Sequence, residues 1–193
     1  MAFWGQAMDS NIRDPKRKFR FKVEIEGLGN GIVWYAKTVS KPSMTISGDA
    51  EHKFLGHTFK FPGSVTWEDV ELTLVDPAEE IEDAATKLLN IVQGSGYQFP
   101  RDIPVSPEQL RTISKGKAVE ALQKFVIYQL DGEGRTVEKW TLHNAFVISL
   151  NFNGLDYGSD DLSEINMTVK YDWAEFSNGR GDDSQYFEPP SAS

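Results

Sequence analysis

The sequence predicts a mainly β fold: a β-sandwich or partly open barrel with one flanking α-helix and a long protruding loop. Three observations carry this. Phe146, Ile148, Leu150 and Phe152 alternate with Val147, Ser149 and Asn151, and Ile165, Met167, Val169, Tyr171 and Trp173 alternate with Asn166, Thr168, Lys170 and Asp172. Side chains on a strand point to opposite faces in turn, so both runs read as strands with one apolar face. Only the stretch 76–94 has apolar residues at helical spacing over several turns. The stretch 44–64 carries aromatic residues between Gly48, Gly56 and Gly63 with no stable period, as a long excursion from the fold would.

Composition narrows the classes. With 193 residues the chain is long enough for one domain with a proper core, and 1–193 is read as a single domain. A 39% hydrophobic content with twelve Phe and five Trp excludes a disordered chain. A net charge of −9 argues against a general basic footprint for nucleic acid. The absence of cysteine excludes disulfides and thiolate metal sites. No signal peptide, no membrane segment and no fixed-period repeat is expected.

Taken in order, 1–15 reads as an arm. Lys16, Arg17, Lys18, Arg20 and Lys22 form a basic run, but Phe19, Phe21, Val23 and Ile25 alternate with it, which makes a strand with a solvated face. A turn at 28–31 and a returning strand over 32–39 would complete a hairpin, ended by Pro42. The 44–64 excursion follows, read either as a loop or hairpin that packs on another subunit or as a flap over its own core. From 65 to 75 a strand sets Val70, Leu72 and Leu74 against Asp69, Glu71 and Thr73. Asp76, Pro77 and Glu79 have the chemistry of a helix start. Ile81, Ala84, Ala85, Leu88, Leu89 and Val92 form its apolar face, and Gly94 its stop. The Pro-containing stretch 97–117 is irregular, with room for a helical turn at 106–109. Strands over 124–130 and 135–142 flank the turn Asp131-Gly132-Glu133-Gly134. The two alternating runs then surround an acidic connector, 154–164, and the tail 177–193 lacks periodicity.

Site chemistry is sparse. His52, His57 and His143 are the only histidines, and without Cys or helical spacing they do not read as a zinc site. No nucleophile elbow is present, and Gly116-Lys117 lacks the rest of a phosphate loop. The acids of 158–161 match no EF-hand, and Arg180-Gly181-Asp182 is too short a match to weigh. No enzyme activity and no cofactor is expected.

Several landmarks occur together and in order: Phe21, Val23, Glu24 and Ile25 before a Gly turn; Ala36, Lys37, Val39, Ser40 and Pro42; Pro62-Gly63 before Trp67-Glu68-Asp69-Val70 and Leu72-Thr73-Leu74; Ala145, Phe146, Ser149 and Leu150; and 155–160 (LDYGSD) before 164–173 (EINMTVKYDW). In this the chain resembles the tail tube proteins of contractile-tailed, T4-like bacteriophages. The Pro-rich segment from Pro100 to Pro107 and the tail after Phe176 do not map onto the family pattern.

The resemblance implies a fold shared with the type VI secretion tube protein, and a structural role. Six copies would form a ring, and rings would stack into the inner tube of a contractile tail. The implied partners are other copies of the chain, the tail sheath protein, baseplate and tail terminator proteins, the tape measure protein, and DNA in transit without specific binding. The implied location is the virion, assembled in the host bacterial cytoplasm. Within that frame Asp69, Glu71 and Thr73 are the lumen-facing candidates, because an acidic lining repels phosphate. Glu51, His52, Lys53, Phe54, Leu55, His57 and Phe59, in the 44–64 stacking loop, are the candidates for contact between rings. Two other readings stay open: a tube initiator or terminator at the baseplate or neck, and a monomeric β-sandwich binding module.

Overall fold

The computed structural model describes residues 15–29, 36–48, 50–77, 83–102 and 111–179. The arm before residue 15, positions 32–35 of the returning strand, the helix start at 78–82, the turn at 106–109 and the tail from 180 lie outside the described residues.

In chain order the strands are β1 (Phe21–Ile25), β2 (Ala36–Val39), β3 (Met44–Ile46), β4 (Ala50–Phe54), β5 (His57–Phe61), β6 (Val65–Trp67) and β7 (Val70–Val75). Helices α1 (Ala84–Gly94) and α2 (Lys115–Leu122) precede β8 (Phe125–Leu130), β9 (Thr136–His143), β10 (Phe146–Asn151), β11 (Glu164–Lys170) and β12 (Trp173–Ser177). Two four-stranded antiparallel sheets, ordered β1-β8-β9-β12 and β10-β11-β7-β2, make the body.

One apolar core lies between the sheets. Val23, Ile25, Phe125 and Ile127 from the first meet Val70, Leu72, Leu74, Ile165, Met167 and Val169 from the second, all at most 2% exposed. These residues recur at every second position, so the period-two pattern converts directly into a buried face. Each large side chain so buried contributes roughly 1.5–3 kcal/mol. Leu88 and Ile91 of α1 and Leu122 of α2 extend the same core. The mainly β fold with a flanking helix is therefore as expected, with α2 as a second helix beside it.

Several expectations are corrected. The strand at Ala36–Val39 does not return beside β1. It pairs with β7 in the second sheet, while β1 pairs with β8. The run 65–75 is two strands, because Glu68 and Asp69 break it and β6 joins β3 instead. The cap of the described helix is Asp83, not Asp76: Asp83 Oδ1 accepts from the Ala85 amide at 3.2 Å, and its other oxygen accepts from the Thr86 hydroxyl. Asp76 lies just past β7, where its amide donates to the Ser163 carbonyl at 2.9 Å.

The run 146–152 does not keep one apolar face. The register against β11 shifts between Val147 and Ser149, as a bulge requires, and one extra residue reverses parity. Val147 and Leu150 pack on the core, while Ile148 is 47% exposed. The last run also divides. β11 ends at Lys170, and β12 crosses to the other sheet to pair with β9. Asp172 fixes that corner: its amide donates to the His143 carbonyl at 3.0 Å, and its carboxylate accepts from Lys115 at 2.6 and 2.7 Å and Asn144 at 2.8 Å. Those bonds, Lys115 first, hold its carboxyl below the usual range against a smaller effect of burial.

Candidate functional site

The 44–64 stretch is not a flap over its own core. It is a two-stranded ribbon that leaves the second sheet at the start of β7. β3 and β6 form its root, in the register Met44↔Trp67, Thr45↔Thr66 and Ile46↔Val65. Ser47 and Gly63 continue it, with the Gly63 amide donating to the Ser47 carbonyl at 2.5 Å. A Cβ on Gly63 would meet Ser47 Oγ at 2.2 Å and the Ser47 carbonyl oxygen at 3.0 Å, so a larger residue there would have to turn the Ser47 side chain aside. β4 and β5 form the outer part, closed by Leu55 at φ 47° and Gly56 at φ 80°. Positive φ at both turn residues matches the twist of a two-residue hairpin.

Antiparallel register sorts the ribbon into two faces. Ala50 pairs with Phe61, His52 with Phe59 and Phe54 with His57, and these six share one face. Glu51, Lys53, Thr58 and Lys60 share the other, where Lys60 Nζ lies 3.7 Å from Glu51 Oε1. The expected contact residues are thus brought onto one hairpin, but divided: His52, Phe54, His57 and Phe59 together, Glu51 and Lys53 behind them, Leu55 at the tip. Phe61 belongs with the first set, and its period-two spacing from Phe59 was the signal for it. Every residue of β4 and β5 is exposed, with Phe54 at 60% and Phe59 at 50%.

The ribbon is anchored on the body at its root. Trp67 packs on the core, its ring centroid 5.9 Å from that of Tyr171. Burial, then the charges of Asp69 and Glu68, push the Tyr171 hydroxyl up to about 12. Just before the root, Lys41 Nζ donates to Glu138 Oε2 at 2.5 Å, and Lys16 donates to the other oxygen of the same carboxylate. Burial pushes the Glu138 carboxyl up, but the hydrogen bonds and charges of Lys16 and Lys41 outweigh it and bring it to about 2. Glu138 therefore ties the stretch before β1 and the stretch after β2 to β9.

Asp69, Glu71 and Thr73 lie on the solvent side of the second sheet. Glu71 is exposed, and Thr73 Oγ1 donates to Asn166 Oδ1 at 2.8 Å. Asp69 precedes β7 and sits 3.9 Å from Lys170 Nζ. Lys37 pairs with Glu164 on the same sheet, and the hydrogen bond and charge of Glu164 raise the Lys37 pKa. Of the carboxylates Asp69, Glu71 and Glu164, two are thus met by lysines brought from neighbouring strands. Reading β7 alone could not show this.

Beyond the far end of β7, the connector between β10 and β11 presents Leu155, Tyr157 and Leu162 at 93%, 112% and 70% exposure. Asp156, Asp160 and Asp161 lie among them. An apolar groove of about 590 Å³, lined by Leu89, Val92, Ile113, Ala118, Ile148 and Phe152 among others, runs between the helices and β10. Strands β10 and β12 each end their sheet unpaired on one side among the described residues. No three metal-ligating side chains come together there either.

No family model and no curated protein sequence matches this chain. Solved structures do match. A chain of the anti-feeding prophage cap, which terminates that particle's tube, superposes with a TM-score of 0.62 at 20% identity, covering 92% of this chain and 99% of its own. A chain of the sheath–tube complex of PVC, an extracellular contractile injection system, in its extended state, gives 0.61 at 19% identity, over 86% and 94%. A chain of the six-fold symmetrised anti-feeding prophage baseplate gives 0.59 at 16% identity, over 87% and 99%. The chain shares the fold of these components of contractile injection particles.

Proposed function

We propose that this chain is a structural subunit of the inner tube of a contractile injection machine, stacking on itself and enclosed by a sheath. The observation that carries this reading is the exposed amphipathic ribbon on a body that shares the fold of injection-particle chains. A two-stranded hairpin is marginal in water unless its apolar face is covered. Edges β10 and β12, unpaired among the described residues, offer backbone groups to neighbouring copies, which fits sheets that continue around a closed ring. The sequence landmarks favour a phage tail among such machines, with rings of six, a tape measure protein inside and DNA in transit. Electron micrographs of the purified protein test this: six-fold rings or tubes with a central channel are expected, and compact monomers at high concentration refute it.

The 44–64 ribbon is the stacking element of this reading. Removing residues 48–60 should leave a folded protein that no longer stacks. On this reading Asp69 and Glu71, with Thr73, face the lumen. Exchanging both for Lys should leave tubes intact, because neither touches the core, while slowing genome delivery as rings of cations grip phosphate. Both acids on the outer wall of an assembled tube would refute that placement. The likeness to the cap chain supports a second reading, a tube-end component. Such a component would stop at single rings where a tube subunit grows long polymers.

A further inference from the structure

The ribbon's apolar face needs an occupant, and the fold places a complementary surface at the opposite end of the same sheet. We propose that the β4–β5 hairpin of one copy docks head-to-tail on the acidic connector, residues 153–163, of a second copy. This rests on the tube reading and adds to it the surface that receives the hairpin.

The argument begins with topology. β2 ends and β7 begins at the ribbon: Val39 pairs with Leu72, and Ser40 donates its amide to the Glu71 carbonyl at 2.9 Å. β11 begins where β7 ends, with Glu164 opposite Val75 and the Asp76 amide on the Ser163 carbonyl. The ribbon and the connector therefore sit at opposite ends of β7, a six-residue strand that spans about 20 Å. A contact between unlike ends of identical subunits is heterologous, and it propagates from copy to copy without consuming the free ends.

Charge and apolarity match as well. Residues 50–61 carry Lys53 and Lys60 against Glu51 alone, with His52 and His57 beside the phenylalanines. Residues 153–163 carry Asp156, Asp160 and Asp161 and no lysine or arginine. Asp156 Oδ1 accepts from the Gly158 amide at 2.9 Å, and Asp161 Oδ2 from the Ser159 hydroxyl at 2.7 Å, which leaves further lone pairs on each carboxylate. Beside these acids stand Leu155, Tyr157 and Leu162, side chains large enough to cover Phe54, Leu55 and Phe59. The apolar residues supply the buried area; Lys53 and Lys60, on the hairpin's other face, act on the acids as longer-range charge, which favours this approach over the reversed, like-end contact.

The natural chain has no cysteine, so disulfide trapping reads the contact cleanly. Leu55→Cys with Tyr157→Cys in one full-length chain should give, on oxidation, a ladder of covalent trimers and longer species. The pair cannot close within one chain, because a disulfide needs Cα atoms within about 7 Å and the two sites lie at opposite ends of the sheet. Adding Asp160→Lys and Asp161→Lys should cut the ladder about tenfold, and adding Lys53→Glu and Lys60→Glu to those should restore it. A ladder from Leu55→Cys with Ile148→Cys, and none from the first pair, would place the hairpin in the helix–β10 groove and overturn this docking while leaving the tube reading intact. Equal dimer yield from Leu55→Cys alone, with no longer species, would mean hairpin meets hairpin and would overturn it likewise. No multimer from any pair, with monomers in micrographs, would end both readings.

Discussion

Strand β7 and hairpin β4–β5 are written in the same code and end in opposite places. Both alternate apolar and polar residues. In β7 the apolar set, Val70, Leu72 and Leu74, is at most 1% exposed. In the hairpin Phe54, Phe59 and Phe61 remain 50–60% exposed. Alternation specifies which side chains share a face, and it says nothing about what covers that face. For β7 the cover is the opposite sheet of the same chain. For the hairpin no such cover exists among the described residues, and an apolar face of this size is costly to leave in water.

Four experiments test that contrast on the stability of the isolated fold, from the largest expected effect to the smallest. Leu72→Ala empties a site already filled by the chain itself and should lower unfolding free energy by about 2–5 kcal/mol in urea titrations. A loss under about 1 kcal/mol would mean that β7's face is not core in the sense argued above.

Glu138→Gln acts at the joint between body and ribbon and should cost about 2 kcal/mol, since two half-exposed lysines lose a charged acceptor. The pH dependence follows from a carboxyl held at about 2, below its ordinary 4.5. Its contribution is complete above about pH 4.5 and is lost as pH falls through 2. The gap between wild type and variant should therefore be constant from pH 5 to 7 and close toward pH 2. A gap that widens on acidification contradicts the assignment.

Asp83→Ala removes the cap of α1 and should cost about 1 kcal/mol, with Asp83→Asn recovering most of it. Thermal unfolding of the three proteins measures this. The smallest effect belongs to the hairpin. Phe54→Ser with Phe59→Ser should change unfolding free energy by no more than about 0.5 kcal/mol, because neither side chain is buried in the isolated chain. The same pair should abolish tubes in micrographs. A destabilised monomer would show that the hairpin serves its own fold after all.

The contrast also explains what could be read from the sequence. β1, β7 and β11 were legible because each keeps period two against the core, and β8 and β9 because an apolar run and its partner flank a tight Gly-containing turn, although β8 is buried on both faces. β10 was legible as a strand but not in its faces, since the bulge at Ile148 depends on its pairing with β11. The partner of β2 was misread because a Gly turn between two strands suggests a hairpin, and only tertiary packing sends them to different sheets. α2 escaped notice because its described burial rests on Ala118 and Leu122 alone, with Gly116 in its first turn. For the ribbon, the aromatic residues were visible as a group. Their common face was not, because the Leu55-Gly56 turn is not among the strong turn dipeptides and two histidines interrupt the apolar series.

The sheet order also sets a clock. Val23 pairs with Ile127, and Phe21 with Gln129, so among the described strands β1 has no partner until residues 125–130 have been synthesised. At roughly 5–20 residues per second, that wait lasts several seconds or more. Hairpin β4–β5 needs only its own residues and closes in about 10 μs. Trypsin cleavage at Arg20 and Lys22 in ribosome-stalled chains of increasing length would read the delay, which should end only once β8 has emerged. Residues 153–163 are made later still; if they receive the hairpin as proposed, a nascent chain would display its hairpin long before it could receive one, and growth of an assembly would be left to chains that have passed residue 163.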